Sequence, residues 1–108
     1  MKRKVVTFSV NENTYRKFSS IVKSKGRNYS EVISEEIENL LKDKRILPRA
    51  VNESNDGLKA VHIPEGIWER YSIFLIKEGE TKSNQIRGII REYVWRDENV
   101  VSGKDATN

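Results

Sequence analysis

Two short polar clusters stand out: Asn28, Tyr29 and Ser30 in GRNYSEVI, and Thr81, Lys82 and Ser83 in GETKSNQI. Each opens a stretch with helical apolar spacing. The first is preceded by basic side chains at Lys2, Arg3, Lys4, Arg16, Lys17, Lys23, Lys25 and Arg27. A helix start presents unpaired N–H groups and a positive dipole end, so hydroxyls and cations gathered there suit the holding of an anion. Catalysis has no comparable foothold. No nucleophile stands with a base, no glycine-rich loop follows a strand, and Glu31, Glu35, Glu36 and Glu38 form an ordinary solvated helix face. With no Cys and the single His62, disulfides and thiolate metal sites are excluded and a His-rich site cannot be built. The chain is expected not to be an enzyme and to need neither cofactor nor metal.

At 108 residues, 33% charged and 36% hydrophobic, with a mean hydropathy of −0.69, there is room for one ordinary domain or two very small units. No apolar run approaches the ~20 residues that cross a bilayer, and MKRKVVTFSV leads into polar Asn11, Glu12 and Asn13 rather than a signal core. A soluble, cytoplasmic protein with no membrane partner is expected. The net charge of +4 is mild, but its distribution is uneven. Residues 1–54 carry 12 basic and 7 acidic side chains and residues 55–108 carry 8 and 9, so the halves differ by +5 against −1. The excess sits at the front of the chain, where a solvated surface is the plainer reading of these charges taken alone and an anionic partner is the other.

The elements that must position these groups come in two rounds. Lys4–Val10 alternates apolar Val6, Phe8 and Val10 with Val5, Thr7 and Ser9, the period of a strand. Asn11 caps a helix carrying Tyr15, Phe18, Ile21 and Val22, which stops at Gly26. Asn28, three residues before Glu31, opens a second helix whose stripe of Val32, Ile33, Ile37, Leu40 and Leu41 runs to about Lys44. Arg45–Gly57 contains Pro48 and a turn-forming cluster and reads as a linker. The pattern then restarts with the strand Leu58–Ile63, Pro64 at a helix start, and Ile67, Trp68, Tyr71, Phe74 and Leu75 up to Gly79. Thr81 caps a last helix bearing Ile86, Ile89, Ile90, Tyr93 and Val94 to about Glu98, with a frayed tail from Val100. His62 reads first as a surface residue, and Tyr15, Trp68, Tyr71 and Trp95 read as core or rim.

The two rounds align without a gap at a shift of 53, the difference between Gly79 and Gly26. Val10 then meets Ile63, Tyr15 meets Trp68, Ser19 meets Ser72, Ser30 meets Ser83 and Ile37 meets Ile90, which reads as an internal duplication. A lone strand in a unit of this size leaves its backbone donors and acceptors without a ladder. The strands are therefore expected to pair antiparallel within the chain, in preference to exchange between chains, on a shared core. The linker's reach of ~40 Å allows it.

Strand, helix, glycine turn and a second helix opening as GRNYSEVI or GETKSNQI resembles the ribbon-helix-helix (MetJ/Arc-like) family of DNA-binding repressors, with both halves of its dimer fused in tandem. Such single-chain members resemble transcriptional regulators of archaeal viruses, which would place the protein in the host cytoplasm. The resemblance implies an α+β, mainly helical fold: repeats at 1–44 and 58–99 joined by a linker at 45–57, forming one intrachain pseudo-dimer with a two-stranded antiparallel ribbon on four helices, and a flexible tail at 100–108. It implies a sequence-specific regulator of transcription whose partner is double-stranded DNA, monomeric as that pseudo-dimer, with side-by-side assembly on DNA left open.

In that family the ribbon enters the major groove and the starts of the second helices hold phosphates. With Val6, Phe8, Val10, Val61 and Ile63 facing the core, the base-contacting set is Val5, Thr7, Ser9, Leu58, Ala60 and His62. Only Thr7, Ser9 and His62 can hydrogen-bond, so direct readout is expected to be thin. Lys59 falls on the core parity, from which it would snorkel outward or reach DNA. The phosphate-contacting set is Lys2, Arg3, Lys4, Arg27, Asn28, Tyr29, Ser30, Thr81, Lys82 and Ser83. An antitoxin-like protein-interaction module and a weakly specific architectural DNA-binding protein are the alternatives. The short, polar tail speaks against the first, and the apolar groove set favours the second.

Overall fold

The computed structural model describes residues 2–49 and 53–107, with side chains as far as Asn99. The element order is β1 (Arg3–Val10), α1 (Glu12–Ser24), α2 (Tyr29–Asp43), β2 (Gly57–Pro64), α3 (Glu65–Glu78) and α4 (Lys82–Thr107). The fold is α+β and mostly helical, with 63% of residues in helix and one two-stranded antiparallel sheet.

β1 pairs with β2 over their full lengths, from Arg3 opposite Pro64 to Val10 opposite Gly57, with Thr7 opposite Ala60 near the middle. Alternation then decides the two faces. Val6, Phe8 and Val10 of β1 and Val61 and Ile63 of β2 are buried, whereas Val5, Thr7, Leu58, Ala60 and His62 are exposed. The buried row rests on Phe18 and Val22 of α1, Ile33 and Ile37 of α2, Tyr71 and Leu75 of α3, and Ile86, Ile89 and Ile90 of α4. Burying whole side chains of this size contributes about 1.5–3 kcal/mol each, so a one-residue slip of either strand would forfeit several such terms.

Local chemistry sets the helix boundaries. The Asn11 side chain accepts a hydrogen bond from the Thr14 N–H at 3.0 Å, and that of Asn28 accepts one from the Ser30 N–H at 2.8 Å. Gly26 (φ 65°) and Gly79 (φ 67°) take the left-handed conformation after α1 and α3 that glycine adopts without penalty. α2 ends differently, on Lys44 at φ 51°, a non-glycine left-handed residue. The turn is held because Arg45 N–H reaches the Leu40 carbonyl at 3.0 Å and the chain behind it delivers Leu47 into the core at 3% exposure.

Three expectations need correction. The 45–57 segment is no bare linker. The buried Gln85 grips Leu47 in both directions, accepting from its N–H at 2.9 Å and donating to its carbonyl at 3.0 Å. Its far end is also fastened, since Asn11 donates to the Ser54 carbonyl at 2.8 Å, Thr14 to Glu53 at 2.8 Å, and the Glu12 N–H to Asp56 at 3.0 Å. Ala50–Asn52 lie outside the described residues. Lys59 neither snorkels free nor points to the exposed face: its ammonium pairs with Glu12 at 2.9 Å and lies 4.9 Å from the Tyr15 ring centre. Gly57 makes room for this pair, because a Cβ there would fall 2.0 Å from Glu12 Oε1. Finally, α4 does not end near Glu98 but continues to Thr107, where the tail was expected. No proline follows Glu98, and the one glycine between Glu98 and Thr107, Gly103, costs a helix only about 1 kcal/mol.

Candidate nucleic-acid interface

The exposed face of the ribbon is a row of side chains from both strands. Val5 lies opposite His62, Thr7 opposite Ala60, and Ser9 opposite Leu58, with Arg3 opposite Pro64 at one end. All six residues expected to touch bases are therefore together on one face. Val5 and Leu58 are 55% and 76% exposed, high for aliphatic side chains on a strand. Of these six side chains only Thr7, Ser9 and His62 can hydrogen-bond, with the Arg3 guanidinium beyond them at the end of the row.

The starts of α2 and α4 flank this row from opposite sides. At α2, the Ser30 hydroxyl accepts the His62 backbone N–H at 2.9 Å, which fixes the helix start against the outer edge of β2. At α4, the Arg87 guanidinium donates to the Ser9 carbonyl at 3.0 Å and to the Ser9 hydroxyl at 3.3 Å, fixing the other start against β1. A shallow depression beside α4 is lined by Lys4, Val5, Thr7, Lys82 and Ser83, so the N-terminal basic run and the α4 start meet there. Lys82 is exposed, its ammonium 5.5 Å from the Trp68 ring centre. The Thr81 hydroxyl accepts the Asn84 N–H at 3.3 Å and so caps the helix.

The matching depression at α2 brings Arg3, Asn28 and Ser30 together with the carboxylates Glu31, Glu35 and Glu38. Two of the residues expected to hold phosphate here are engaged elsewhere. Arg27 pairs with Glu31 at 2.7 Å and also with Glu35. Tyr29 packs its ring against Tyr15 and Phe18 and shares a 2.6 Å hydrogen bond with Ser19. That bond, helped by Lys23 and opposed by burial, holds the Tyr29 phenol below its ordinary range. Lys2 and Lys4 are exposed, and the Lys2 carbonyl accepts the Glu65 N–H at 3.1 Å.

Arg87, on α4 at the border of this face, is a residue that sequence reasoning passed over. Its signal was available, because it stands one helical turn after Ser83, on the same side of α4. Near it, burial pushes the Glu80 carboxyl up, and the Thr81 N–H, Arg49 and Asn84 together more than reverse this, leaving it below the ordinary carboxylate range. Glu80 is thereby committed to its own helix start and to Arg49, which it meets at 3.0 Å.

Among the described residues no group of acidic, His or Cys side chains could hold a metal, and no helix is long and apolar enough to cross a membrane. Comparison with known proteins finds no matching family model, no matching curated protein and no matching solved structure.

Proposed function

We propose that the protein is a sequence-specific, double-stranded DNA-binding regulator of transcription, built as two ribbon-helix-helix repeats in one chain and inserting its ribbon into the major groove. The observation that carries this reading is the exposed row of Val5, Thr7, Ser9, Leu58, Ala60 and His62, a two-stranded surface with cations at its border. A ribbon of this width fits the major groove, which is about 12 Å across. The strand register supports the duplicated arrangement. Partners sum to 67 (3 + 64), and under the shift of 53 the residue equivalent to Thr7 is Ala60, its own partner, so a pseudo-twofold axis passes between them.

In this reading Thr7, Ser9 and His62 read base edges, while Val5, Leu58 and Ala60 contact thymine methyls. Arg3, Lys4, Lys82 and the N–H groups at the α2 and α4 starts hold phosphates. Selection of bound duplexes from a random pool, followed by titration of the winner and a shuffled duplex at matched salt, tests it. The selected duplex is expected to bind roughly 10³-fold more tightly, the low end for specific binders. A pool that shows no enrichment overturns the proposal. The apolar half of the row favours a second reading, an architectural protein with little sequence preference, and equal affinity for both duplexes would be its signature.

A further inference from the structure

We infer that the groove between α1, α4 and the connecting segment is a binding site for a small amphipathic anion, an aliphatic or aromatic carboxylate, sulfonate or phosphate ester. Its volume is about 700 Å³, within the ~300–1,000 Å³ typical of small-molecule sites. Its floor is apolar: Leu47, Pro48, Gly88 and Val94, with Leu47 Cβ 3.1 Å from where a Gly88 Cβ would stand. Trp95 forms one wall with 61% of its surface exposed, whereas Trp68, the other tryptophan, is 7% exposed in the core.

The rim sets the charge of the occupant. Lys17, Arg45, Arg91 and Arg96 line the groove against only Glu92 and Glu98. Glu92 is already shared, by Arg45 at 2.9 Å and Arg96 at 4.0 Å, and Arg96 is held by Glu36 as well. Lys17 makes no ion pair among the described residues. Arg91 is half-buried and donates to the Pro48 carbonyl at 3.0 Å, with Glu53 3.6 Å away. An apolar body over Leu47, Val94 and Trp95, with an anionic head toward Lys17, would cover the indole and give a partner to the one rim cation that makes no ion pair among the described residues. A cationic amphiphile would bring its head into like charge.

The test uses the full chain without DNA, so its result is independent of the nucleic-acid proposal. The anionic dye 8-anilinonaphthalene-1-sulfonate is titrated into the protein, then displaced with decanoate or with decyltrimethylammonium. Dye emission is expected to rise and saturate, decanoate to displace it and quench Trp95 emission, and decyltrimethylammonium to do neither. Trp95→Ala, at an exposed position, is expected to weaken dye binding about tenfold. Lys17→Glu, which leaves Leu47, Pro48, Val94 and Trp95 unaltered, is expected to weaken it roughly threefold to tenfold. The inference fails if emission does not rise, if the cationic amphiphile displaces the dye as well as decanoate does, or if Lys17→Glu binds the dye like the unaltered protein.

Discussion

The starts of α2 and α4 occupy matching places beside the ribbon and carry opposite charge. In the 53-residue alignment Tyr29 answers to Lys82, Glu31 to Asn84, Ser34 to Arg87, Glu35 to Gly88 and Glu38 to Arg91. The α2 start presents three carboxylates and an arginine neutralised by two of them. The α4 start presents Lys82 and Arg87, with Lys4 alongside. The two helix starts thus differ in their attraction for a polyanion, and in the proposed DNA complex the duplex would be held chiefly from the α4 side. The inequality could not arise in a homodimer, whose two helix starts share one sequence.

The largest effect expected from this inequality is on stability. Gln85 answers to Val32, an ordinary core residue in the first half, but in the second half it carries both hydrogen bonds to Leu47. Gln85→Ala leaves a buried N–H and a buried carbonyl without partners and is expected to cost about 2–4 kcal/mol in a denaturant titration, while Val32→Ala costs only its lost methyls and cavity. Equal costs would show that the connecting segment is not held as described.

The charge comparison itself is tested by Lys82→Ala combined with Arg87→Ala, expected to weaken binding to every duplex by roughly 10–100-fold and to shallow the salt dependence by about one to two phosphate contacts. Arg27→Ala should change affinity by less than about threefold, because its charge is already spent on Glu31 and Glu35. Similar losses in the two variants would erase the distinction. Within the ribbon, Thr7→Ala makes the central pair Ala–Ala and is expected to lose about 1 kcal/mol of discrimination at one base position, read by competition with substituted duplexes. A uniform loss over all sequences would place Thr7 on the backbone instead. Smallest is Tyr71→Phe. The Tyr71 hydroxyl is buried without a hydrogen-bond partner among the described residues, and its counterpart is Phe18, so the variant should gain up to about 1 kcal/mol in thermal or denaturant unfolding.

Much of this architecture can be read from residue types because local and global requirements agree. Alternation over Val5–Val10 and Leu58–Ile63 separated the two ribbon faces, and Asn11, Asn28, Gly26 and Gly79 marked helix ends through their own side-chain or backbone preferences. What stayed hidden depends on partners distant in the chain. Arg27 looked like a free cation because one helix turn does not say whether its carboxylates reach back. Lys44 gives no glycine-like sign of a left-handed turn, which exists because Leu47 must reach Gln85, 38 residues on. Lys59 looked misplaced until Glu12 and the space at Gly57 came beside it.

The connecting segment is tied to α4 at Leu47 and to the entry of α1 at Glu53–Asp56, and the strand it delivers zips onto β1 of the same molecule. Assembly of the ribbon is then a first-order event, with a local strand concentration of order millimolar whatever the amount of protein present. Dilution does not separate two strands that one chain ties together in this way.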